Sequence, residues 1–381
     1  MVNKKWLKVL TWASYRLKIN MMQIAQVSMD IGELLKRMVE RRASDLHLRV
    51  PSPPVLRIDG RLVVQEDLPP VTPEYLESVL ETIVSPERRK SFQQNRELDC
   101  SYSVRGLARF RLSAMYQRGT ISLAFRLVPF IIPNPEELGL PMIYRNLIVK
   151  PRGLILITGP TGSGKSTTIA AMIDYLNHTA SRNVITVEDP IEYVFSNDKC
   201  LIAQRDLGED TMSFDTALVH ALRHDPDVIV VGEMRDLETI STAIRAAETG
   251  HLVLGTLHTV DAAQTVDRII DAFPENQQRQ IRLQASQVIE AIMSQALLPL
   301  AKGKGRVAAF EVMIATPAVR NLIRESKTFE LPNIIQLSSQ DGMQTLDQAL
   351  AELVRKHLVT REEAMLKTSN PRRLEKMLLP T

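Results

Sequence analysis

The chain has 381 residues, of which 44% are hydrophobic and 24% charged, and a formal net charge of +3. This is a globular composition, too long for one core and so expected to form two domains, and the positive excess is too small to signal a nucleic-acid surface. Cys100 and Cys200 are the only cysteines, which leaves neither a disulfide framework nor a zinc constellation and fits a reducing cytosol, and no apolar run approaches the about 18 residues of a membrane span.

Residues 1–28 differ from the rest. Lys4, Lys5, Lys8, Arg16 and Lys18 are basic, no acid precedes Asp30, and Trp6, Leu10, Ala13 and Leu17 recur at helical spacing. Two readings stay open: a basic helix lying on an anionic membrane surface, or a start set too far upstream of Met29, where a well-formed helix begins. In that helix Ile31, Leu34, Leu35 and Met38 share a face, and it ends near Arg42. Residues 45–50 alternate as a strand with Leu46, Leu48 and Val50 on one side. Strands 55–58 and 61–64 flank Asp59-Gly60, a two-residue hairpin signal. A helix follows Pro73, and strands are expected at 98–104, 107–116 and 120–127, the first two joined by a tight turn at Arg105-Gly106. Residues 29–128 thus read as a small mixed α/β domain with a largely antiparallel sheet.

Pro129, Pro133, Pro135 and Pro141 mark 129–148 as a linker, ordered but without regular secondary structure. From 149 to 381 a second domain alternates strand 154–158, helix 165–176, strands 183–187 and 228–231, helix 237–248 and strand 252–257. That alternation predicts a parallel sheet with helices on both faces. Beyond residue 275 the pattern reads as mainly helical.

Gly159, Pro160, Thr161, Gly162, Ser163, Gly164, Lys165 and Ser166 fit the phosphate-binding loop G-x-x-x-x-G-K-[ST], after an apolar strand and before a helix that continues through Thr167. Glycines let successive N–H groups turn inward toward phosphates, and the helix opens with its N-terminus toward the negative charge. Lys165 supplies a cation for the β- and γ-phosphates, and the Ser166 hydroxyl is placed to ligate Mg²⁺. The chain is therefore expected to bind ATP.

Residues 227–233 form an apolar strand ending in Glu233, where phosphate-loop proteins deliver an acid to Mg²⁺; Asp227 is at the wrong end. Glu188, Asp189 and Glu192 follow another apolar strand, at the end where ligands collect in such folds. Glu188 and Glu192 both qualify as the base for an attacking water, against the plainer reading of a solvated acidic turn. His251 and His258 flank a third apolar strand, and a histidine there is placed to sense a γ-phosphate; no further Cys or His lies at metal-ligand spacing. Arg109, Arg111, Arg118 and Arg126 lie on or beside consecutive strands of the first domain, with Arg109 and Arg111 on one face. They read either as a phosphate-meeting face or as one that solvates the sheet.

Five separated motifs in one order go beyond a generic ATPase: Ala43-Ser-Asp-Leu-His-Leu48, Gly159 to Ser166, Glu188-Asp-Pro-Ile-Glu192, Gly232-Glu233-Met-Arg-Asp236, and Gly250-His251 with His258-Thr259. From about Met29 to the C-terminus the chain resembles the secretion ATPases, and within them those that retract type IV pili. Ala318-Val-Arg-Asn-Leu-Ile-Arg-Glu325 is similar to the C-terminal segment associated with retraction, and the long N-terminal region and four-cysteine zinc motif of the assembly ATPases are not seen.

The resemblance implies a PAS-like N-terminal domain and a RecA-like ATPase domain in a homohexameric ring. The ring would be cytoplasmic and peripherally associated with the inner membrane, where it works on the platform protein of the pilus machine, with a PilU-like paralogue as an accessory. It implies Glu192 as the catalytic carboxylate, Glu233 as the acid at Mg²⁺, His251 and His258 as a histidine pair, and Arg109, Arg111 and Arg126 as nucleotide contacts. A RecA-like nucleic-acid translocase would want a basic channel or stacking aromatics, and aromatics are only 5%. A non-hydrolysing scaffold would not need Lys165, Glu192 and Glu233 together.

Overall fold

The computed structural model describes residues 29–128, 131–303 and 305–379, so the extension before Met29 lies outside the described residues. The chain divides into two compact units at Val128. In the first, Asp30 caps α1 (Ile31–Glu40) by accepting from the Gly32 amide, and α1 buries Ile31, Leu34, Leu35 and Met38. Then come β1 (Asp45–Arg49), β2 (Val55–Ile58), β3 (Arg61–Val64), α2 (Pro73–Ile83), α3 (Pro86–Asn95), β4 (Glu97–Val104), β5 (Ala108–Gln117) and β6 (Thr120–Val128).

The strands form one antiparallel sheet in the order β3-β2-β1-β6-β5-β4. Alternation sends Leu46, Leu48, Phe110, Leu112, Leu123 and Phe125 into a core with the three helices. The opposite face is polar. Helix α3 was not foreseen, because it buries only Phe92 and has no apolar stripe to read.

The second unit departs from expectation at its start. Residues 129–148 do not act as a plain linker: α4 (Tyr144–Ile148) forms there, and Leu140, Tyr144, Leu147 and Ile148 join the core beneath the next strand. Apolar burial outweighs the proline spacing, since every proline precedes the helix.

The unit continues with β7 (Gly153–Thr158), α5 (Lys165–Thr179), β8 (Asn183–Glu188), β9 (Leu201–Asp206), α6 (Phe214–Ala221), β10 (Val228–Val231), α7 (Leu237–Glu248), β11 (Leu252–Leu257), α8 (Ala262–Asp271) and α9 (Glu275–Val288). Next are β12 (Ile289–Pro299), β13 (Arg306–Ile314), α10 (Pro317–Arg324), α11 (Leu331–Leu337), α12 (Leu346–Arg355), α13 (Arg361–Met365) and α14 (Pro371–Leu378). The sheet order is β13-β12-β7-β11-β10-β8-β9, parallel except for the antiparallel β12–β13 pair. Both faces are covered. Leu154 and Leu156 point into one core layer and Ile155 and Ile157 into the other, which is why β7 reads as an unbroken apolar run.

The hairpin β12–β13 corrects the expectation that the chain is mainly helical beyond residue 275. Ala, Met, Gln and Leu in 289–299 favour helices, and a strand buried on both faces shows no alternation to betray it. Of the segment Ala318 to Glu325, Val319 and Ile323 are fully buried and Leu322 partly so, the stripe expected from its spacing. Arg320 lies off that stripe and is tied down. It donates to the carbonyls of Ser286 (2.9 Å) and Gln287 (2.6 Å) at the end of α9 and pairs with Glu290 (2.7 Å).

Glu311 on β13 is buried and accepts from the Ala262 amide, at 2.9 Å, at the start of α8. Burial pushes its carboxyl up from an ordinary 4.5 to about 7, against that hydrogen bond, with Asp261 adding to the rise. The folded state therefore holds a proton that the unfolded state has lost, and wild-type stability falls as pH rises from about 4.5 to about 7. Glu311→Gln keeps the acceptor and removes the titration. Across this window the mutant should gain on wild type by on the order of 2 kcal/mol in denaturant melts. A difference that stays flat with pH would show that Glu311 is not protonated in the fold.

Candidate active site

The phosphate loop follows β7 directly. Gly159 has a φ of 144°, and a Cβ there would overlap the Gln295 carbonyl oxygen and the Ser163 hydroxyl. Only glycine fits. Gly164, with a φ of 93°, leads into α5. Lys165 is buried, and its ammonium donates to the carbonyls of Gly159 (2.9 Å) and Pro160 (3.2 Å). Burial lowers the lysine pKa, while Glu233 and Glu192 oppose the shift. Ser166 and Thr167 occupy the first turn of α5.

Glu233 stands just past β10, on backbone stitched to both neighbours: the Gly232 amide donates to Val187 (2.8 Å) and the Met234 amide to Thr256 (3.0 Å). A side chain on Gly232 would press on the Val187 carbonyl and Glu188 Cα, so glycine permits this approach. His258, just past β11, contacts Glu233 at 2.9 Å through Nε2 and the Thr161 hydroxyl at 3.3 Å through Nδ1, joining acid to loop. Arg235 also pairs with Glu233.

The acidic segment after β8 separates its two candidate bases. Glu188 accepts from the Thr186 hydroxyl (2.6 Å), the Gln204 amide (3.2 Å) and the Glu192 backbone N–H (3.4 Å). Burial raises its pKa, which those hydrogen bonds only partly offset. Glu192 is exposed. Its neighbour Tyr193 contacts the Thr167 hydroxyl at 3.1 Å and holds this segment against the start of α5. Glu188 organises the turn, and Glu192 has the carboxylate left open to water.

Residues 135–303 match the family model described as type II/IV secretion system protein. Over 343 residues the chain is 48% identical to the type IV pilus retraction ATPase PilT of Pseudomonas aeruginosa, which spans 90% of this chain and 99% of that one. It is 40% identical over 350 residues to the type IV pilus ATPase PilU of the same organism, spanning 92% and 91%. A crystal structure of the pilus retraction motor PilT with bound ADP matches with a TM-score of 0.84 at 49% identity, over 91% of this chain and 99% of that one. The chain belongs to the PilT family of secretion ATPases. It is accordingly an ATP hydrolase of α/β fold, with N-terminal strands and a C-terminal ATPase domain.

Of the expected histidine pair, His251 is not brought to the loop end of the sheet. His251 precedes β11 and His258 follows it, so the six-residue strand separates them by roughly 20 Å. His251 instead contacts the Ala246 carbonyl at 3.0 Å, at the end of α7. Asp227, likewise at the far end, accepts from the Asn183 amide at 2.8 Å.

The arginines form the polar face of the first unit, where Arg111 and Arg126 are cross-strand partners and Arg109 lies two residues away on the same side. Arg126 pairs with Asp45 at 2.9 Å, Arg111 with Asp99 at 3.9 Å, and Arg109 reaches the Ser103 hydroxyl at 3.4 Å. Burial of Asp45 disfavours its charge, but the Ser44 hydroxyl and Arg126 outweigh that and hold its carboxyl below the ordinary range.

Sequence reasoning missed Ser294 and Gln295 of β12. The Ser294 and Thr158 hydroxyls meet at 2.7 Å, and Gln295 bonds the loop itself. With the chain beyond residue 275 read only as mainly helical, nothing set them beside β7.

Glu192→Gln should bind ATP normally and hydrolyse it about 10²- to 10⁴-fold more slowly, because an amide is a poor base for water. Glu188→Gln should retain most turnover. Single-turnover assays with both variants decide the matter, and the reverse ranking would move the base to Glu188.

Proposed function

We propose that this chain hydrolyses ATP to retract type IV pili, and so drives twitching motility. It works as a homohexameric ring at the cytoplasmic face of the inner membrane. The observation that carries this reading is the convergence of Lys165, Glu192, Glu233 and His258 at one end of a parallel sheet, in a chain 48% identical to PilT.

Phosphoryl transfer asks the protein mainly for positioning and charge. The loop amides and Lys165 hold the phosphates and take up charge that develops on the transferred group. Glu192 accepts a proton from the attacking water. His258 touches both Thr161 and Glu233, so displacement of the loop by the γ-phosphate is felt at the acid.

Mg²⁺ fits the donor set as an ion that arrives with phosphate. Ser166 and Glu233 supply two oxygens, and among the described residues no group of three or more His, Cys, Asp or Glu is placed to hold a metal alone. When bound, it would neutralise charge between the β- and γ-phosphates. Arg109, Arg111 and Arg126 are the candidates for further phosphate contacts, and each would first give up its present partner. His251, at the far end of β11, is assigned a role outside the phosphate pocket of its own subunit.

The partner assigned to the ring is the inner-membrane platform protein at the base of the pilus, with a PilU-like paralogue as an accessory. Among the described residues no helix is long and apolar enough to cross a membrane, and the ring is assigned a peripheral place on the inner membrane. Nucleic acid has no part in this reading.

The test is complementation of a strain lacking its retraction ATPase. The chain should restore twitching. Lys165→Ala should fold, as judged by circular dichroism, yet lose ATP turnover and motility together. Near-normal hydrolysis by Lys165→Ala would overturn the site. Rescue only in the presence of a separate retraction ATPase would make this chain the accessory paralogue.

A further inference from the structure

We infer that Gln295, on β12, is a positioning residue that holds the phosphate loop in its binding shape. The inference rests on the nucleotide-binding reading of that loop and adds to it a residue outside the loop motif.

A phosphate loop points its N–H groups inward, so its carbonyls face outward into protein, where each needs a donor. Lys165 satisfies two of them, on Gly159 and Pro160. It is also the cation meant for the phosphates, so it cannot serve both at full strength. The Ser163 carbonyl has a different donor, the Gln295 side-chain amide. The other end of the same carboxamide accepts from the Thr168 hydroxyl, at 2.8 Å, on the first turns of α5.

Gln295 is 3% exposed. Its backbone oxygen is what a Cβ on Gly159 would strike, and its Nε2 lies 3.1 Å from where a Cβ on Gly164 would be. One buried residue thus meets the first glycine of the loop, its Ser163 carbonyl, its last glycine and the following helix. Neither of its side-chain bonds involves Lys165.

The chemistry calls for a carboxamide, because the site presents one acceptor and one donor about a side chain's width apart. A methionine fills the volume and offers no comparable donor or acceptor. A carboxylate keeps the Thr168 bond but faces the Ser163 carbonyl with like polarity. The backbone anchor comes from β12 itself, which pairs with β7 through Ser294 opposite Thr158 and so brings the next residue to the mouth of the loop.

Equilibrium titration of the full chain with a fluorescent ADP analogue tests this, alongside steady-state kinetics and melting without nucleotide. Gln295→Met should weaken binding of the analogue by on the order of tenfold, because a loop released from Gln295 must be drawn back to its binding shape at the expense of affinity. KM should rise with it, kcat should change less, and the melting temperature without nucleotide should stay close to wild type. Thr168→Val should weaken binding in the same direction, Thr168→Ser should recover it, and Gln295→Met with Thr168→Val should be no worse than Gln295→Met alone.

Wild-type affinity in Gln295→Met overturns the inference, as does lowered melting with unchanged affinity, the mark of a purely structural residue. Should Gln295→Met not fold, the Thr168 pair carries the test, and equal affinity of the Val and Ser variants overturns it. Failure of the unmodified chain to bind the analogue overturns the nucleotide reading itself, a result distinct from the others.

Discussion

Everything at the loop end of the second unit depends on keeping a charged lysine in a place that water hardly reaches. Burial alone would drive Lys165 toward its neutral form. Two carboxylates on neighbouring strands oppose this, and two loop carbonyls occupy the ammonium. Parallel strands suit the purpose because they all end on the same side. The turn after β8 brings Glu192, the end of β10 brings Glu233, and the end of β11 brings His258. An antiparallel sheet would send every second strand end to the opposite side.

That geometry also explains which parts of the site were legible. The loop glycines, Lys165 and Ser166 form a local pattern, because the loop makes its own shape over eight residues. Glu233 and His258 were legible one step less directly, as polar residues that end apolar strands. His251 carries the same signature at the start of its strand, and only strand direction separates the two histidines. Glu188 and Glu192 share one turn, and sequence spacing says nothing about which is enclosed. The structure divides them by what Glu188 touches: Thr186 from its own strand and Gln204 from β9, a strand that the reading did not foresee.

The first unit shows the opposite balance. Its alternation was plain because only one face of the sheet is buried, so Leu46, Leu48 and Val50 stood out against Asp45, His47 and Arg49. Its polar face was also visible in outline, as arginines on consecutive strands. Register was not visible. Cross-strand pairing sets Arg126 beside Asp45 on one side and Arg111 on the other, and so makes part of that face an ion-pair row. If Arg126 leaves this row for phosphate binding, Asp45 stays buried with one fewer partner, a cost that the nucleotide contact must exceed.

β12 was the element least open to reading, and it connects two motifs far apart in the chain. Near its start Glu290 is held by Lys150, just before β7, and by Arg320 of the Ala318 to Glu325 segment. Five residues on, Gln295 grips the phosphate loop. A strand with both faces buried is a stiff element, because it moves only by breaking ladder bonds to β7 and β13 together. Arg320 also caps the end of α9 through the Ser286 and Gln287 carbonyls, so one side chain ties α10 to both α9 and β12. The segment Ala318 to Glu325 and the phosphate loop thus both bond to β12, at Glu290 and at Gln295 five residues further on, and the segment contributes no atom to the hydrolysis itself.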